Sequence, residues 1–381
     1  MNRKALAAAV AVLLALSAAY VLLKPPPEPE PTKPRIGSLL ILSGDYAPYG
    51  EMVANGQALA EVWLAADGLE IERLQPLDFE ADKGKANELL LRSVRQDGVT
   101  FFAGLMGTGF VEHTAPEMTA QNIVVVDGTA TGDKLSGISP GFFRTIPADG
   151  AAAREALGWI QAEGQSGNVH LLFANTSWGT GLKDSYLIAA EELGVSIPEE
   201  SIEELPEGAT IEQVQAAAQR MTDAAPSAVV LAVYGTEAAG LMRAWTEGDG
   251  TAPPVYGTDN LVGEFADKAG VFANGARFVI AKGGTLDPEV RALYVEAHGE
   301  PEGGEVPAYV ITGFNATVAA ARAYEATDGD AVAAREWLKT AEIQGAEGPF
   351  RFTAAGDFGG ASYERMRFTI EDDKPVSVAH P

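Results

Sequence analysis

Cysteine is absent from this sequence. That excludes structural disulfides, cysteine nucleophiles and thiolate metal sites, and leaves the redox compartment open. Basic residues are scarce, with 27 Lys and Arg facing 53 Asp and Glu for a formal charge of −26. Neutralising phosphates needs clustered cations, so no nucleic-acid partner is expected. The acidic balance reads instead as solubility. Histidine is rarer still: His113, His170, His298 and His380 are scattered without metal-ligand spacing, and no metal site is expected. The glycines of Gly104–Gly109 lack a dinucleotide fingerprint and no phosphate-loop lysine follows a glycine run, so no cofactor is expected. Asp78 and Asp82 match acid–base carboxylates by type, but beside a strand end they read as capping and turn residues. Without a nucleophile–base pair, a metal constellation or a cofactor loop, the chain does not read as an enzyme.

One long apolar run is present. Arg3 and Lys4 precede the stretch Ala5 to Leu23, the pattern of an export signal or a membrane anchor. Ser17 and Ala19 have the spacing of a cleavage site, yet the run continues to Leu23, just long enough to span a bilayer. The missing cysteine argues against a lipid anchor. Pro25–Pro34 is proline-rich and reads as an extended, semi-rigid spacer. Residues 1–24 are therefore expected to be a signal peptide or anchor and 25–34 a linker. The protein is expected to be periplasmic or extracytoplasmic, with tethering to the inner membrane by residues 5–23 as the alternative to cleavage.

At 381 residues the chain is long enough for two α/β lobes. From Arg35 it alternates short aliphatic runs with helical stretches, the signal for parallel sheets with crossover helices. Strands are expected at Ile36–Leu42, Ile71–Leu77, Thr100–Ala103 and Ile123–Val126, with helices around Gly50–Ala66, Lys83–Gln96 and Val111–Ala120. The pattern restarts after Phe142-Phe143-Arg144-Thr145. In such sheets ligands bind at the carboxyl ends of strands. The turns there are rich in Gly, hydroxyls and aromatics: Ser43–Gly50, Gly104–Gly109, Asp127–Gly132, Asn175–Gly181, Tyr234–Thr236 and Tyr256–Asn260.

Several of these turns carry a family resemblance. The order of Ser43-Gly44 with Tyr49-Gly50, Asp78 to Asp82, Thr129-Ala130-Thr131, Phe143-Arg144-Thr145, Trp178-Gly179-Thr180-Gly181 and Gly348-Pro349-Phe350 resembles the type I periplasmic binding proteins, in their leucine/isoleucine/valine-binding branch. The resemblance spans roughly Arg35 to Ile370. It implies two Rossmann-like lobes joined by a three-strand hinge, with crossings near Arg144-Thr145, Val279–Lys282 and Gly348–Phe352. The lobes would be 35–144 plus 283–348 and 145–282 plus 349–381.

The resemblance also implies a site. A ligand carboxylate would meet Thr108, Thr129 and Thr131, its ammonium would meet Asp259, and Tyr49, Trp178 and Tyr234 would wall the side-chain pocket. Hydroxyls and free amides suit a carboxylate, and a buried acid suits an ammonium. Two departures bear on the ligand. The serine-rich carboxylate loop of the family reads Gly107-Thr108-Gly109, and its tyrosine before the Gly-x-Gly turn is Trp178, which is larger and has no acceptor. The expected function is the solute-binding component of an ABC importer for an amino acid or related small carboxylate, with the ABC permease as partner. The alternatives are a membrane-tethered sensing domain and a binder of aromatic carboxylates or amides.

Overall fold

A computed structural model describes residues 33–380 except 45, 73–74, 248–251, 263, 283 and 302–303. The expected signal or anchor and most of the proline-rich linker lie outside the described residues. No helix among the described residues is long and apolar enough to cross a membrane.

The chain from Pro34 forms a single unit. In order its elements are β1 (Ile36–Gly37), β2 (Leu39–Leu40), α1 (Ala47–Ala66), β3 (Leu77–Asp78), α2 (Lys83–Asp97), β4 (Phe101–Ala103), α3 (Thr108–Ala120), β5 (Val124–Asp127) and β6 (Phe142–Arg144). There follow α4 (Asp149–Ala162), β7 (Val169–Ala174), α5 (Ser177–Leu193), β8 (Ile202–Leu205), α6 (Ile211–Ala224), β9 (Ala228–Ala232), α7 (Gly235–Glu247), β10 (Val255–Gly257), α8 (Glu264–Ala269) and β11 (Arg277–Lys282). The chain ends with α9 (Pro288–His298), α10 (Ala308–Ala326), α11 (Ala331–Leu338), β12 (Ile343–Gly345), β13 (Gly348–Phe350), β14 (Ser362–Glu371) and β15 (Lys374–Ala379).

The first lobe holds the parallel sheet β1-β4-β5-β6, extended by the parallel pair β2–β3. Successive strand residues point to opposite faces, so each face builds its own core. Phe101, Val124 and Val126 pack toward Val310 and Phe314 of α10, while Phe102 and Val125 pack toward Leu89, Leu90 and Met118 of α2 and α3. The second lobe carries the sheet β8-β7-β9-β10-β11-β14-β15, parallel through β11 and antiparallel beyond it. Val229 and Leu231 meet α6 and α7 on one face, and Val230 and Ala232 meet Trp159 and Leu182 on the other. The doubly wound two-lobed α/β fold is the one expected.

Three segments join the lobes. The first runs from Arg144 to Asp149. The second follows Lys282, and the chain re-enters the first lobe where the Asp287 amide bonds Ala346 O at 2.7 Å. The third departs from expectation, because a boundary between Gly348 and Pro349 cuts through β13. That strand pairs antiparallel with β12, and Phe350, Phe352 and Phe358 pack in the first-lobe core. Burial of these rings keeps the chain in the first lobe through Phe358, so the third crossing lies between there and Ser362.

Candidate functional site

The carboxyl ends of both sheets face one cavity of about 750 Å³. Tyr49, Thr108, Thr129, Thr131, Trp178, Tyr234 and Asp259, all seven residues singled out from the sequence, line it. Asp78 and Asp82 do local work: Asp78 accepts from the Leu42 and Glu80 amides, and Asp82 caps α2 by accepting from the Lys85 amide at 2.7 Å.

The first-lobe wall is two interlocked loops. Gly107 precedes α3 at φ 80°, a backbone region that favours glycine, and turns the helix N-terminus into the cleft. The buried Thr108 hydroxyl accepts from the Gly132 amide at 3.1 Å, leaving its own proton free to donate. The second loop is shaped by the buried Asp127, whose Oδ1 accepts from the amides of Thr129 and Ala130, both at 2.6 Å, and from the Thr129 hydroxyl at 3.2 Å. That hydroxyl in turn accepts from the Gly107 amide at 3.0 Å. Both Thr129 groups expected to hold a carboxylate are therefore spent inside the loop. Its carbonyl is what remains for a ligand, because a hydroxyl has a single proton to give.

The second-lobe wall begins at α5, capped by Thr176, whose Oγ accepts from the Gly179 amide at 3.0 Å. A Cβ at Gly179 would sit 2.2 Å from Ala174 O, so glycine permits the first turn to pack this closely on β7. Trp178 consequently projects at the helix start, stacked on Tyr234 with centroids 4.9 Å apart and planes at 30°. Tyr46 meets Tyr234 edge-on at 5.3 Å. Asp259 opens a 3-10 turn after β10 that Asn260 fastens through its side-chain bonds to Leu231 O and Val233 O.

Cross-lobe bonds close the cleft. The Tyr49 hydroxyl donates to Glu264 Oε2 at 3.1 Å, and Tyr309 donates to Asp259 Oδ2 at 3.3 Å. At the rim Ser185 of α5 donates to Asp133 Oδ2 at 2.5 Å.

Residues 33–368 match the family model described as periplasmic binding protein. The chain belongs to the periplasmic binding protein family. The Leu/Ile/Val-binding protein homolog 3 of Brucella melitensis biotype 1 is 25% identical over 355 residues, covering 90% of this chain and 93% of the relative. Among solved structures, the branched-chain amino acid transporter substrate binding protein LivJ from Streptococcus pneumoniae, in complex with isoleucine, superposes with TM-score 0.77 at 19% identity, covering 92% of this chain and 99% of that one. A solute binding protein of an ABC transporter from R. palustris in complex with benzoate gives TM-score 0.76 at 18% identity, with 91% and 96% covered. Membership implies an extracytoplasmic location.

In this periplasmic binding protein Asp259 at the cavity wall and Asp149 behind it make an acidic pair. Asp149, first residue of α4, is buried beside Thr131 and Asp259, and its Oδ2 has no hydrogen-bond partner among the described residues. Burial raises the pKa of both carboxyls, and for Asp149 the neighbouring Asp259 charge raises it further. Neither carboxylate forms an ion pair among the described residues. Burial likewise raises Tyr49 and Tyr309, so both remain neutral donors at physiological pH.

Sequence reasoning missed Tyr46, Asp149, Glu264 and Tyr309. Asp149 had a signal, an acid in a helix's first turn directly after a hinge crossing. Tyr309 had none, because it enters the cleft from a helix start rather than a strand-to-helix turn.

Proposed function

We propose that this protein captures an α-amino acid between its lobes and hands it to an ABC permease. The observation that carries the reading is Asp259 at the cavity wall, backed by Asp149, with no paired cation among the described residues. Two adjacent carboxylates withdrawn from solvent, Asp149 buried and Asp259 half-buried, are costly unless something positive joins them, and an ammonium does so. Across the cavity the α3 N-terminus and the Thr108 hydroxyl suit the ligand carboxylate, whereas the Thr131 hydroxyl is engaged with Asp149. Contacts to both lobes favour the closed form, which is the form a permease reads. No covalent step is needed, and the protein acts as a carrier rather than an enzyme. The segment 5–23 exports the chain, and where it is retained the proline-rich spacer holds the lobes off the bilayer.

The Trp178–Tyr234 stack favours a second reading, an aromatic carboxylate such as the benzoate held by the R. palustris protein. A thermal-shift screen with leucine, isoleucine, phenylalanine, benzoate and 4-hydroxybenzoate separates the two. Amino acids should stabilise the wild type and fail on Asp259→Asn. Stabilisation by benzoates alone, unchanged in that variant, would sink the amino-acid reading.

A further inference from the structure

Arg144 is fully buried at the end of β6, away from the cavity wall, and donates four hydrogen bonds besides its ion pair with Asp357. Nη1 donates to Ala130 O at 3.2 Å and Gly132 O at 2.9 Å, two carbonyls of the loop that carries Thr129 and Thr131. Nε reaches Asp357 Oδ1 at 2.8 Å, and Nη2 reaches the same carboxylate at 2.6 Å and Ser136 Oγ at 2.8 Å. Ser136 Oγ also donates to Asp357 Oδ1 at 3.0 Å. Asp357 lies immediately before the third crossing. The backbone repeats the tie, since the Arg144 amide bonds Gly356 O and the Gly137 amide bonds Ala355 O, both at 2.9 Å.

We propose that Arg144 and Asp357 are positioning residues: their buried ion pair fixes the Thr129–Gly132 ligand loop to the first and third hinge crossings. The bond from the Gly132 amide to the Thr108 hydroxyl extends the same tie to the second ligand loop. Next to Gly132, Asp133 takes the rim bond from Ser185, so the loop Arg144 holds is also the one that meets the closing lobe. The planar guanidinium spans two carbonyls, a hydroxyl and a carboxylate at once, a geometry an ammonium cannot reproduce. The role in binding rests on reading the cleft as the ligand site; the tie between loop and hinge does not.

Hydrogen–deuterium exchange on the ligand-free full chain tests the tie. Arg144→Lys and Asp357→Asn should speed exchange in peptides spanning 127–136 by about tenfold or more, with the second-lobe strand 228–232 within about twofold of wild type. Unchanged protection of 127–136 in both variants would overturn the proposal. Should both fail to fold, Ser136→Ala decides, because it removes only the hydroxyl joining the pair: a rise of about threefold is expected and no rise overturns the proposal. A binding arm titrates isoleucine and benzoate separately. Arg144→Lys should weaken whichever probe binds wild type by about tenfold or more, mainly through faster dissociation. Val230→Ala, a core change in the second lobe, should leave that affinity within about twofold despite its loss of thermal stability. Equal affinity losses in the two variants would refute positioning. If neither probe binds wild type, the reading of the cleft fails and the exchange result alone decides the tie.

Discussion

The Tyr309 hydroxyl, on the first lobe, lies 3.3 Å from Oδ2 of Asp259 on the second. The bond is directed at a half-buried carboxyl whose surroundings screen it less than bulk water, so it weighs more than a surface contact. It helps hold the lobes together and aims the Asp259 carboxylate at the same time. Tyr49 packs edge-on against Tyr309 at 5.6 Å and adds its own cross-lobe bond to Glu264.

Tyr309→Phe keeps the ring and removes the hydroxyl. Amino-acid affinity should fall by about tenfold in calorimetry, in line with a hydrogen bond to a charged group. The thermal midpoint without ligand should change little.

Ligand binding should depend on pH through Asp149 and Asp259. Both carboxyls titrate above the ordinary carboxylate range. An ammonium binds their ionised form, so affinity should rise with pH through that raised range, and binding should release protons. Asp149→Asn should flatten the profile. Calorimetry in buffers of different ionisation enthalpy reads the released protons directly.

Asp127 concerns stability instead. Burial pushes its carboxyl up to about 7. A folded pKa above the unfolded one means that its stabilising contribution is complete below the ordinary carboxylate range and is lost as pH rises through about 7. Asparagine keeps an acceptor for the Thr129 and Ala130 amides and carries no charge. Asp127→Asn should therefore gain roughly 2–3 kcal/mol over wild type at pH 8 relative to pH 5, read from denaturation midpoints.

Ser185→Ala removes the rim bond to Asp133 without touching the cavity wall. The closed form should be less populated, and small-angle scattering should show a larger radius of gyration without ligand. Saturating ligand should restore compactness.

Trp178→Ala should abolish most binding while leaving the fold intact, because the half-buried ring stacks on Tyr234 at the cleft and only borders the second-lobe core. A loss of about 2 kcal/mol in binding is expected from the lost stack.

Much of the frame was legible from residues in order. The helix expected at Lys83–Gln96 is observed at Lys83–Asp97, and those expected around Gly50–Ala66 and Val111–Ala120 are observed at Ala47–Ala66 and Thr108–Ala120. Their apolar period and caps are local properties, as with Asp82, which accepts from the Lys85 amide. Edge strands were harder. Ile202–Leu205 carries Glu203 and Glu204, so its sequence looks like a solvated loop, and only pairing with β7 makes it a strand. Lys374–Ala379 is a strand for the same reason, through β14.

The sequence by itself determined the α/β class and the restart of the pattern after Arg144, since each is written in local composition and period, while the seven residues that line the cavity were implied by the family resemblance of their turns. Tertiary structure decided what no local pattern encodes. It spent the Thr129 hydroxyl and amide on Asp127, kept Gly348–Phe358 in the first lobe, brought Asp149 beside Asp259, and set Arg144 against an aspartate 213 positions away. Hydrogen-bond valence is finite and burial is shared. Which partner a group takes is therefore fixed only when distant segments compete for it in space.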